Sequence, residues 1–182
     1  MRSRFAIAFL ALVGIVPAVS AEEIVIDFEQ AEIGKPQPNW TEKGVVFNLA
    51  GPLTTSKATG RIMFFPHLAT NHKGILNAMA TEQAIPVQAT FPTSASSVTL
   101  VLWGSTGCPA LLEALDNNGE VVDKASVAAV PGRKSPADPV PFFELTVNAP
   151  DASAIAAIRF SGPRNGEFLA ADEIRFTTVE AK

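Results

Sequence analysis

Leu111-Leu112-Glu113-Ala114-Leu115-Asp116-Asn117-Asn118-Gly119-Glu120-Val121-Val122 is the stretch on which the fold class turns. The apolar run 110–115 has the composition of a helix, but it is short, and a turn signal follows it at once. Asn and Gly tolerate positive φ, so residues 116–119 read as a hairpin turn between two strands, 111–115 and 120–127. Working outward, the same strand-and-turn pattern recurs. Residues 24–28, 44–48, 61–65, 98–103, 142–147, 155–160 and 172–177 are rich in β-branched and aromatic residues. Residues 75–79 and 87–91 carry weaker strand signals. Pro and Gly punctuate the spacers at 34–38, 131–133, 136–141 and 161–163. No segment combines helical length with an apolar stripe of period 3.6. About ten short strands at this spacing predict an all-β, antiparallel β-sandwich or barrel.

Upstream lies a leader. Met1-Arg2-Ser3-Arg4 is basic, residues 5–16 are apolar, and Val19-Ser20-Ala21 supplies small residues before Glu22-Glu23. That order predicts a cleavable signal peptide over residues 1–21, and therefore a secreted or periplasmic protein. The competing reading, a retained anchor, needs roughly 20 apolar residues, more than this run provides. No later stretch is long and apolar enough to span a membrane. One domain, 22–178, and a frayed tail, 179–182, complete the organisation.

Lys and Arg number 14 against 18 Asp and Glu. Two of the basic residues, Arg2 and Arg4, fall in the leader, so the mature chain is the more acidic. No basic cluster is present, which argues against nucleic acid and anionic membrane surfaces as partners. A single cysteine, Cys108, excludes an internal disulfide and is expected to be buried as a small apolar residue.

The two ends of the mature chain carry a family pattern. Ile26-Asp27-Phe28-Glu29 leads through Gly34 and Trp40 to Gly44-Val45-Val46-Phe47. The far end reads Ile158-Arg159-Phe160-Ser161-Gly162, then Ala171-Asp172-Glu173-Ile174-Arg175-Phe176. With the 115–122 hairpin between them, this order resembles the galactose-binding-domain-like jelly rolls used by many carbohydrate-binding modules. The resemblance implies a jelly-roll β-sandwich whose first and last strands lie side by side, with a structural calcium ion where they meet. It therefore puts Asp27 or Glu29 near Asp172 or Glu173, and calcium prefers such oxygen ligands. The competing reading leaves these as solvated strand-end charges, with Glu173 or Glu29 paired to an arginine.

Candidate binding residues are few. Trp40, placed on a loop, is the candidate aromatic platform for a sugar ring, and Trp103 reads as core or rim packing. Asn71, His72, Lys73, Arg133 and Arg164 lie on loops that a sandwich would gather at one end. The bland alternative is solvated loop charge. His67 and His72, five apart without a neighbouring Cys or carboxylate, read as ordinary polar loop residues rather than a transition-metal site. No nucleophile elbow or recognisable catalytic set is present. The expected function is a non-catalytic binding module for carbohydrate or another cell-surface polymer. A structural or interaction domain of the envelope is the alternative, and a hydrolase of unfamiliar type the weaker one.

Overall fold

The computed structural model describes residues 21–50, 62–67, 70–77, 85–135, 137–150, 154–161 and 169–179. The first 20 of the 21 residues of the expected signal peptide, Arg164 and the last three residues lie outside that set. Eleven strands and no helix occur among the described residues. They are β1 (Glu23–Ile26), β2 (Trp40–Glu42), β3 (Val45–Leu49), β4 (Ile62–Pro66), β5 (Lys73–Asn77), β6 (Val87–Gly104), β7 (Ala110–Leu115), β8 (Val121–Val127), β9 (Phe143–Asn148), β10 (Ile155–Ser161) and β11 (Leu169–Thr178).

The architecture is the expected all-β antiparallel jelly-roll sandwich, and one strand belongs to both of its sheets. Sequence patterning separates 87–91 from 98–103; the structure joins them in the 18 residues of β6. The first half of β6 pairs with β3 and β10. The second half pairs with β11 and β9. Ala95 stands where the partners change, opposite both Ile155 and Thr178. Exposed Pro92 lies just before this crossing, where its missing N–H costs no ladder bond. One sheet therefore runs β2-β3-β6-β10-β7-β8. In the other, β9, β6 and β11 are neighbours, and the far side of β11 takes β1 and then β5, which leads to β4.

The first and last strands are adjacent, with Ile26 opposite Ile174. Phe28, expected at the end of the first strand, instead has φ 57° and leaves the ladder. Its ring is fully buried, edge-on to Phe47 at 5.2 Å and tilted against Phe64 at 5.7 Å. Burying such a ring stabilises the fold by about 1.5–3 kcal/mol. Inward-facing Val98, Leu100 and Leu102 of β6 meet Ile174 and Phe176 of β11 in the same core.

The β7–β8 hairpin forms as its turn chemistry dictates. Gly119 adopts φ 81°. The Asp116 carboxylate accepts the N–H groups of Asn118 at 2.8 Å and Glu120 at 2.9 Å. These bonds to the charged form hold the Asp116 carboxyl below its usual range, with the Glu120 N–H the largest cause.

Candidate functional site

Trp40 is not on a loop. It opens β2, opposite Phe47, and its ring is half-buried, edge-on to Phe64 at 5.3 Å. The indole N–H donates to Glu42 Oε2 at 3.3 Å. The structure thus corrects its placement on a loop: the ring packs half-buried at the edge of the core.

The four carboxylates at the joined ends do not converge. Asp27 accepts the Glu29 N–H at 3.1 Å in a local turn. Glu29 is exposed, and its carbonyl accepts from Lys73 Nζ. Glu173 pairs with Arg175, which also reaches Glu144 at 3.3 Å. Asp172 is buried against His72, with Nδ1 to Oδ2 at 3.4 Å. Among the described residues no three His, Cys, Asp or Glu side chains come close enough to hold a metal ion.

The site that does form was not legible as a unit. It sits on the outer face of the β11–β6–β9 sheet, behind the main core. Alternation along β6 turns Trp103 away from Leu100 and Leu102, and it packs on Ala170 with Val140 and Phe142. The indole lies close to the sheet because its neighbours are small. A Cβ on Gly74 would come within 2.9 Å of both the indole nitrogen and the Ala170 methyl.

His67 completes this floor, and it is buried, not a polar loop residue. It follows β4 in the turn to β5, where its N–H donates to the His72 carbonyl at 2.7 Å and its carbonyl accepts from Asn71 at 2.8 Å. Asn71, exposed, takes the left-handed φ of 60° that closes this turn. The His67 ring is edge-on to Trp103 at 5.2 Å and 4.4 Å from Phe142. Its Nε2 lies 2.8 Å from the Val140 carbonyl, which can only accept, so the proton is on Nε2. Nδ1 meets the Thr70 hydroxyl at 3.1 Å. Both ring nitrogens are engaged, and the ring fastens residues 137–140 to the sheet. No local signal marks His67 for this role, because the carbonyl it holds is 73 residues away in the chain.

Above this floor opens a cavity of about 630 Å³, lined by His67, Trp103, Ser105, Thr106, Arg133 and Asp138 among others. One wall is the turn Ser105-Thr106-Gly107-Cys108. Gly107 has φ 80°, and the Cys108 N–H returns to the Ser105 carbonyl at 3.4 Å. Two bonds zip this turn to the next loop, Gly107 N–H to Val130 O at 2.9 Å and Val130 N–H to Cys108 O at 2.7 Å. Cys108 is buried behind it, as expected. Gly132 then lies so close to Thr106 that a Cβ would approach its methyl to 2.5 Å. Arg133 is thereby brought to the cavity; His72 and Asn71 are on the neighbouring turn but do not line it.

Beside the floor, Asp172 occupies a β-bulge, between the pairs Ala171–Leu102 and Glu173–Val101. A bulge re-aims the extra side chain, here toward His72. The Asp172 side chain is 9% exposed against 58% for His72. Its Oδ1 is buried without a hydrogen-bond partner among the described residues. Burial raises the Asp172 carboxyl above its usual value, against the opposing pull of His72.

No protein-family model matches the chain, and no curated protein matches it. Solved structures do. The K2 cleaved adhesin domain of Lys-gingipain aligns at TM-score 0.52 and 15% identity, over 86% of this chain and 100% of that one. The K1 cleaved adhesin domain of the same protein from Porphyromonas gingivalis W83 aligns at 0.49 and 10% identity, over 87% and 99%. TmCBM61, solved with β-1,4-galactotriose, aligns at 0.48 and 12% identity, over 84% and 94%. The K2 likeness is one of fold, and it agrees with the all-β sandwich described above.

Proposed function

We propose that this chain is an exported, non-catalytic binding module for carbohydrate, and that the cavity above Trp103 and His67 is its binding site. The observation that carries the reading is the composition of that cavity. An apolar floor is ringed by hydroxyls and one charge of each sign, and its volume of about 630 Å³ falls within the roughly 300–1,000 Å³ of small-ligand sites. Sugars present apolar C–H faces and hydroxyl edges together, and such a lining meets both. The walls are tied by backbone bonds and by His67, so little ordering cost falls on binding. His67 has no nitrogen left for acid–base work, which favours binding over hydrolysis. Adhesin domains share the fold, and a role at a cell surface fits the predicted leader.

A glycan array on residues 22–182 tests this reading. A defined set of glycans should bind, and binding should weaken by about tenfold or more in Asp138→Ala, which removes an acceptor for sugar hydroxyls. Trp40→Ala, away from the cavity, should keep the same binding profile. Absence of any bound glycan would favour an interaction domain of the envelope. Binding lost in Trp40→Ala, while the melting temperature holds, would move the site elsewhere.

A further inference from the structure

We propose that the cavity takes an acidic sugar, one ring bearing a single carboxylate, as in a uronate. This deepens the carbohydrate reading and rests on it. The charged side chains lining the cavity, among the described residues, are Arg133 and Asp138. Both come from one Pro- and Gly-framed segment, in which Arg133 is followed by Lys134. Two adjacent cations stand out in a chain with 18 acids and 14 bases. Both His67 ring nitrogens are engaged by Val140 and Thr70, and Arg133 is the cation the lining offers.

The chemistry of each group then divides the ligand. A guanidinium offers a planar fork that meets a carboxylate with two parallel hydrogen bonds. Asp138 only accepts, so it suits hydroxyl donors and repels a second anion. Ser105 and Thr106 donate or accept as a hydroxylated ring requires. A ligand with one carboxylate toward Arg133 and hydroxyls toward Asp138 satisfies all four, whereas a polyanionic ring opposes Asp138. The arginine is also preorganised. Gly132 packs on Thr106, and Val130 is bonded twice to the 105–108 turn, so the backbone that carries Arg133 is fixed relative to the floor.

Calorimetric titration of residues 22–182 with short oligosaccharides of galacturonate, glucuronate and mannuronate, beside their neutral galactose, glucose and mannose counterparts, decides the matter. At least one uronate should bind about tenfold or more tightly than its neutral counterpart. Arg133→Gln should abolish that preference, and a cooperative melting curve of the variant checks that the fold is kept. Lys134→Gln should retain it. Neutral oligosaccharides binding as well as uronates, or Lys134→Gln losing the preference as fully as Arg133→Gln, would overturn the acidic-sugar assignment. The carbohydrate reading would then still stand. Failure of every oligosaccharide here and of every glycan on the array would overturn both.

Discussion

Asp172 is a carboxylate in an unfavourable setting. The bulge turns it inward, one oxygen meets only a long contact to His72, and the other is buried without a partner among the described residues. Burial raises its carboxyl, so the folded chain keeps this proton to a higher pH than the unfolded chain does. Between the ordinary aspartate value and the raised one, the folded state binds the extra proton. Stability therefore falls as pH rises through that window, and above it the loss is complete. Asp172→Asn keeps the size and removes the titration. The melting temperature of the variant relative to the parent should rise as the pH climbs above the ordinary aspartate value. Parallel curves for the two proteins would show that the buried carboxylate carries no such penalty. The bulge was invisible in the sequence. Strict alternation would put Asp172 on one face with Ile174 and Phe176, whereas the extra residue shifts the phase by one.

At the scale of elements, the candidate site depends on two loops that meet by close approach. Gly132 touches Thr106 where any side chain would collide with the Thr106 methyl. Gly132→Ala should cost about 1–3 kcal/mol by overpacking. Thr106→Ser, which deletes the methyl, should recover most of that loss in the double variant. Chemical denaturation of the four proteins of this cycle measures the coupling, and additive effects would mean the loops are not in contact. Strand existence was largely legible from patterning. Residues 110–115 are a strand, and the 116–119 turn lies where its Asn and Gly placed it. β2 was missed because Trp40-Thr41-Glu42 is too short to show a period. β6 was divided in two because Pro92 punctuates it, although the chain continues straight into the second sheet.

At the scale of the molecule, β6 makes the two sheets one cooperative unit. Its halves pair with β3 and β10 on one side of the crossing and with β11 and β9 on the other. Neither sheet can lose β6 without unpairing the other. The two tryptophans report separately, Trp40 from β2 and Trp103 from the sheet that holds β11. Trp40→Phe and Trp103→Phe leave one reporter each. In each variant the fluorescence and circular dichroism transitions in urea should coincide at a single midpoint. A reporter whose transition precedes the loss of secondary structure would show the sheets unfolding independently.

A resemblance to jelly-roll domains implied the adjacency of the first and last strands; the sequence by itself determined the all-β class, the hairpin and the burial of Cys108. These follow from local periodicity, turn chemistry and composition, which neighbouring residues carry together. Only the tertiary structure decided which polar residues meet. It separated Asp27, Glu29, Asp172 and Glu173 into different partnerships, sealed Trp40 against the core, and joined His67, Trp103, Arg133 and Asp138 around one cavity. Those pairings depend on strand order, on a one-residue bulge and on glycines that let backbones touch. None of these is a property of any short stretch of chain, so the site became legible only once the strands were placed.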